Sequence, residues 1–234
     1  MSNSGPLVSI LINNYNKEKF CVKAVSSVLK QNYKKIEIIF FDDGSTDSSI
    51  ERISKIRKNN KNKIKIIINK TRENIFSFNQ LNAIKKSLKV CKGKFVCILD
   101  SDDFFEKHKI KKIVKFFKEN RSSEIVLDLP IIFYNSSKKQ KIRNEYFYRE
   151  NKWPKFPPTS CLSFRKNSLI KSIKKISFED YSELWFDFRI ATFYALKKRQ
   201  FNVIQEHLTY YRNYSSSYDK KYKKFINFEW WKRR

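Results

Sequence analysis

The sequence predicts an α/β fold: a mostly parallel central sheet flanked by helices. Three observations carry this. Apolar, strand-sized runs begin at Leu7, Ile36, Ile64 and Lys94, with starts 29, 28 and 30 residues apart. Segments with helical spacing lie between them. The runs are apolar throughout rather than alternating, as strands buried on both faces are. A strand–helix–strand beat of about 30 residues is that of βαβ units.

The elements follow in order. The first strand covers Leu7–Ile12, and Val22, Val25, Val28 and Leu29 then share one helical face. The run Ile36–Phe41 is followed by a helix carrying Ile50, Ile53 and Ile56. The run Ile64–Ile68 is followed by Leu81, Ile84 and Leu88 on one face, and Phe95–Leu99 is the fourth strand. A helix over Lys107–Glu119 presents Ile110, Ile113, Val114 and Phe117, and a strand spans Ile125–Leu129. From Pro130 to Pro158 the pattern turns irregular and polar, broken by Trp153-Pro154 and Pro157-Pro158. A helix over Ser182–Lys198 and a short strand over Asn202–Ile204 close the pattern.

The 234 residues suit one domain with a short appendage, and 16% aromatic content excludes a disordered chain. No apolar run approaches the roughly 18 residues of a membrane-spanning helix. The opening residues lack the charged and apolar stretches of a signal peptide, so the expected location is the cytoplasm. Cys21, Cys91, Cys97 and Cys161 form no zinc-ligand spacing, and His108 and His207 are too few for a His-based metal site. The charge balance, 51 − 23 = +28, attracts polyanions, but most lysines are scattered as on solvated faces. The stretch Lys220–Arg234 differs, interleaving lysines and arginines with Tyr222, Phe225, Phe228, Trp230 and Trp231 as an interfacial helix does.

Ligands of open parallel sheets bind beyond the C-terminal ends of the strands. Each such end is polar here: Asn13-Asn14-Tyr15-Asn16, Asp42-Asp43-Gly44-Ser45-Thr46-Asp47, Arg72-Glu73-Asn74 and Asp100-Ser101-Asp102-Asp103. Three aspartates within four residues repel one another unless a cation or hydrogen-bond donors sit among them. Mg²⁺ and Mn²⁺ take carboxylate oxygens and bridge to phosphates, so Asp100–Asp103 reads as a metal–diphosphate site.

These residues resemble a family 2 glycosyltransferase of the GT-A, Rossmann-like fold. Val8–Asn16 is similar to the family's opening strand and turn, and Ser27–Tyr33 with Ile36–Ile38 and Asp42–Asp47 is a close match. Lys92–Asp103 resembles its metal-site segment, with its DxD motif, and Leu208-Thr209-Tyr210-Tyr211-Arg212 its closing motif. The chain departs from the pattern at Asn13, where Pro is usual, and at Phe76, where Gly is usual. It also departs at Gln80-Leu81-Asn82, where Ala-Arg-Asn is usual, and at Tyr214, where His often stands.

The resemblance implies one domain over 1–219, with a nucleotide-binding half (1–129) and a less regular acceptor-side half (130–219), then a basic aromatic tail (220–234). It implies that Tyr15 stacks on the nucleobase with Asn13 nearby. Asp43 or Asp42 accepts from the base ring N–H, Asn74 joins the donor contacts, and Asp100 contacts the ribose. Asp102, with Asp103 beside it, holds the divalent metal, Mn²⁺ or Mg²⁺. A general base must deprotonate the acceptor. Asp180, in Glu179-Asp180, and Asp187 both qualify, and spacing to Tyr211-Arg212 favours Asp187, seven residues later.

The implied activity is inverting transfer of a hexosyl or N-acetylhexosaminyl group from a nucleotide-sugar, UDP-linked, to a glycan or lipid-linked acceptor in polysaccharide synthesis. The tail would then offer a peripheral contact with the anionic inner membrane face. Two readings compete: a family member that binds nucleotide or a partner without turnover, and a basic nucleic-acid-binding module. The second leaves two phosphate-repelling acidic clusters unexplained, so no nucleic acid is expected.

Overall fold

The computed structural model describes residues 5–134, 138–141, 147–149, 152–176, 184–199 and 202–213. The tail 220–234 and the Asp180 candidate lie outside the described residues.

The expected βαβ beat is present. Strands β1 (Val8–Asn14), β2 (Ile36–Asp42), β3 (Ile64–Ile68) and β4 (Phe95–Asp100) alternate with helices α1 (Cys21–Leu29), α2 (Ser49–Lys58) and α3 (Phe76–Val90). Their order is β3–β2–β1–β4, every pair parallel. The chain builds outward from β1 through β2 to β3, then crosses back to place β4 on the other flank of β1. That reversal opens a crevice beyond the strand ends at β1.

The second half is mixed rather than parallel. β5 (Phe104–Phe105), α4 (Lys109–Glu119), β6 (Ile125–Tyr134) and β7 (Lys138–Lys141) come first. A ribbon of β8 (Phe147–Arg149) and β9 (Lys152–Lys155), a 3-10 turn at Thr159–Cys161, and β10 (Leu162–Arg165) follow. Helices α5 (Lys166–Ile173) and α6 (Phe186–Lys197) precede β11 (Val203–Asn213). β10 runs antiparallel to both β4 and β6 and welds the halves into one sheet, with β11 parallel to β6 and β5 and β7 antiparallel at the margins. The sequence pattern assigns no element to β5, β7, β8, β9, β10 or α5. It ends the fifth strand at Leu129 and the last at Ile204, where the structure continues to Tyr134 and Asn213.

Alternation along β1 shows how the core is divided. Ile10 and Ile12 pack with Val25 and Val28 of α1, Ile53 of α2 and Ile113 of α4. Leu11 points the other way, to Leu81 and Ile84 of α3, Leu169 of α5 and Ile190 of α6. Helices thus cover both faces, which is why the strands carry apolar residues without a polar side. No helix among the described residues is long and apolar enough to cross a membrane.

Candidate active site

Strand register assembles the site. Asn14 lies beside Asp42 on β2, and Asn13 beside Asp100 on β4. A cavity of about 710 Å³ opens beyond these ends, and its wall includes Asn13, Tyr15, Asp43, Asp100, Asp102 and Asp187. Residues far apart in the sequence are thereby gathered in one place. The Asn13 carboxamide is buried with neither polar atom in a well-formed hydrogen bond. An orphaned amide on a cavity wall is costly unless a ligand completes it.

The structure separates Asp42 from Asp43. Asp42, 1% exposed, accepts from Asn14 Nδ2 at 2.7 Å, from the Ser45 N–H at 2.9 Å and from Ser45 Oγ at 2.6 Å. It fixes the turn, in which Gly44 takes φ +75. Asp43 faces the cavity, held by Asn69 Nδ2 at 2.8 Å and Arg72 Nε at 2.7 Å. The Arg72 guanidinium also lies 3.4 Å from the centre of the Tyr15 ring and 4.9 Å from that of Phe76. Asn74 is exposed and does not line the cavity, because the chain bends there just before α3. Asn79, one turn into α3, lines it instead and braces the Glu73 backbone through both amide atoms, at 3.0 and 2.7 Å.

At the acidic floor the aspartates divide their roles. Asp103, 2% exposed, accepts from Ser160 Oγ at 2.5 Å and from the Arg212 N–H at 2.8 Å, so both oxygens are committed to the protein. Burial holds its carboxyl well above the usual range, and the charges of Asp102 and Asp100 act the same way. Asp100 and Asp102 line the cavity. Burial pushes Asp100 up to about 7, reinforced by Asp102 and Asp187 and opposed by Lys17. Lys17 Nζ stands 2.8 Å from Asp102 Oδ2.

No three His, Cys, Asp or Glu groups converge on one point among the described residues. Mg²⁺ and Mn²⁺ commonly take one or two carboxylates and complete their shell with phosphate oxygens and water. Asp102, with Asp100 two residues away, fits that donor set; Asp103 does not.

Asp187 sits in the first turn of α6. Thr159 donates its hydroxyl to Asp187 Oδ2 at 3.1 Å, and Gln80 Nε2 donates to Thr159 at 3.3 Å. Gln80 Oε1 also accepts the Phe186 N–H at 3.3 Å, which joins α3 to the start of α6. The sequence pattern points to neither Lys17 nor Thr159, and it gives Arg72 and Gln80, which stand inside quoted segments, no role. Lys17 adjoins the first strand-end segment, but nothing in the spacing of these residues announces their partners.

The family that matches, over residues 9–183, is described as Glycosyl transferase family 2. An uncharacterized glycosyltransferase of Nostoc sp. is 30% identical over 220 residues, covering 88% of this chain and 64% of that protein. The glycosyltransferase GlyG of Streptococcus pneumoniae is 31% identical over 146 residues, covering 61% of this chain and 43% of that one. The chain thus spans less than two thirds of the length of these relatives. In fold it is similar to S. aureus TarS 1-349 in complex with UDP-GlcNAc, with TM-score 0.68, 20% identity and coverage of 94% of this chain and 62% of that one. It is also similar to the mannosyltransferase PcManGT of Pyrobaculum calidifontis in complex with GDP-Man and Mn²⁺. There the TM-score is 0.62, with 14% identity and coverage of 88% and 56%.

Proposed function

The chain belongs to glycosyl transferase family 2, and from that premise we propose that it is an inverting glycosyltransferase. It would move a hexosyl or N-acetylhexosaminyl group from a UDP-sugar to an acceptor hydroxyl in glycan synthesis. One observation carries the reading: Asp43, Asp102 and Asp187, contributed by three separate parts of the chain, line a single cavity.

Each has a task suited to its surroundings. Asp43, ion-paired to Arg72, is an acceptor, so it matches a base with a ring N–H. Uracil and guanine, the bases of the donors held by TarS and PcManGT, both carry one. Tyr15, whose ring Arg72 also contacts, would stack on the base, and Asn13 and Asp100, paired near the ends of β1 and β4 on the cavity wall, would meet the ribose. A divalent cation held by Asp102 would supply charge neutralisation to the departing diphosphate. Asp187 takes the acceptor proton as the acceptor oxygen bonds to the anomeric carbon. The bond to the diphosphate breaks on the opposite face, and its electron pair leaves with the diphosphate. A single displacement of this kind inverts the anomeric centre.

The acceptor is a glycan or a lipid-linked sugar. For the latter, the basic aromatic stretch Lys220–Arg234 would hold the enzyme at the anionic cytoplasmic face. Cosedimentation with anionic vesicles that survives deletion of this stretch would remove that role.

The test of the main reading is release of nucleoside diphosphate from a panel of nucleotide sugars with Mn²⁺, alongside thermal shift with UDP and GDP. Release from a UDP-sugar supports it. Binding without turnover on any donor assigns the chain instead to the non-catalytic members.

A further inference from the structure

We propose that Lys17 is a built-in counter-cation for Asp102 that keeps the divalent metal off the protein until it arrives together with the nucleotide diphosphate. The inference rests on the reading of Asp102 as the metal-facing carboxylate and adds to it an order of binding.

Lys17 Nζ is 2.8 Å from Asp102 Oδ2, with the two side chains 27% and 20% exposed. The backbone builds this position before the side chain is considered. Asn16 adopts φ 49, a left-handed turn, with its Oδ1 accepting the Thr46 N–H at 2.9 Å and its own N–H donating to Ser45 Oγ at 2.9 Å. The Lys17 N–H donates to Ser49 Oγ at 3.2 Å, and its carbonyl accepts the Phe20 and Cys21 N–H groups at 2.9 Å. The residue is pinned on both sides at the foot of α1.

The groups around the ammonium make its role specific. Asp100, Asp102 and Asp187 share the cavity wall. Asp103 does not take the place of Asp102: it is 2% exposed, lies outside the cavity wall, and accepts from Ser160 and Arg212. A metal ion arriving alone must displace an ammonium in contact with Asp102 and exchanges part of its water for little else. An ion arriving with a diphosphate brings phosphate oxygens that fill its shell. The diphosphate also gives the released ammonium a new anion. The exchange is therefore favourable only when metal and nucleotide come together.

Equilibrium dialysis of Mn²⁺ with and without UDP, on the full chain, tests this. The proteins are wild type, Lys17→Met and Lys30→Met; Lys30 is exposed outside the cavity, and its substitution removes the same charge. Thermal melts confirm that each variant is folded. Wild type is expected to retain Mn²⁺ strongly only with UDP. Lys17→Met is expected to bind Mn²⁺ alone about tenfold more tightly than wild type, equivalent to about 1.4 kcal/mol. Lys30→Met is expected to match wild type. Equal Mn²⁺ affinity of Lys17→Met and wild type without UDP overturns the inference. So does an equal gain in Lys30→Met, which would assign the effect to net charge. If UDP binds but no protein retains Mn²⁺ even in its presence, the metal reading of Asp102 fails first, and the inference falls with it.

Discussion

Lys109 Nζ lies 2.6 Å from Asp128 Oδ2, and neither side chain has any exposed surface. The ammonium also donates to the Ser160 carbonyl at 2.8 Å and to Thr209 Oγ1 at 2.6 Å, while Thr209 donates to Asp128 Oδ1 at 2.6 Å. Ser160 in turn gives its hydroxyl to Asp103 at 2.5 Å and accepts the Asp100 N–H at 3.0 Å. The ion pair is a strut beneath the acidic floor, tying α4, β6 and β11 to it. Lys109→Met leaves a buried carboxylate without its partner and is expected to cost roughly 3–5 kcal/mol in a denaturant melt. Lys109→Met with Asp128→Leu should recover part of that loss. A change no larger than that of a surface substitution, about 0.5 kcal/mol, would show that the strut carries no weight.

Asp187→Asn keeps the shape of the side chain and removes its ability to take a proton. Transfer is expected to fall by about 10²–10⁴-fold, the range for a lost general base. UDP affinity by calorimetry should stay near that of wild type. Undiminished turnover in this variant would dismiss Asp187 as the base.

Asp42 and Asp43 are neighbours with different predicted phenotypes. Asp42→Ala strips three hydrogen bonds from a buried turn and should lower stability by roughly 1–3 kcal/mol. Asp43→Ala should weaken UDP binding more than Asp42→Ala does, with the smaller shift in melting. Melting curves and nucleotide titrations on both variants decide it, and the reverse pattern would exchange their roles.

The thiols offer a check on the core. Cys21, Cys91, Cys97 and Cys161 are all buried and none is in a disulfide. Burial pushes Cys97 up to about 11 and raises the other three. Reaction needs the thiolate and access to it. Ellman's reagent near pH 8 should find almost no fast thiol in the native protein and all 4 in denaturant. A fast native thiol would contradict the packing around it.

The nucleotide half was legible because its signals are local and repeated. The run Ile64–Ile68 is the observed β3, and Ile36–Phe41 lacks only its terminal Asp42. The second half hides its order in pairings between distant segments. β10 has four residues and no pattern of its own, yet it sits between β4 and β6. β11 reads as a strand only to Ile204 because the polar Gln205 and Glu206 break the apolar run, at the point where the register shifts between Ile204 and Thr209. The site divides in the same way. Carboxylates at strand ends announce themselves by position. Whether each faces a ligand or a neighbour depends on partners elsewhere: Ser160 for Asp103, Ser45 for Asp42, Lys17 for Asp102. Asp187 over Asp180 was a matter of spacing alone, and the structure adds that Asp187 reaches the cavity wall.

The amide of Arg212 on Asp103 has a consequence for biosynthesis. The loop that begins at residue 100 waits for an N–H that is polymerised 109 positions after Asp103. A ribosome-bound chain can assemble its first four strands early, but its floor stays unfinished until β11 emerges. Completion of the acidic floor is thereby deferred until β11 has been made, after the segment that carries Asp187.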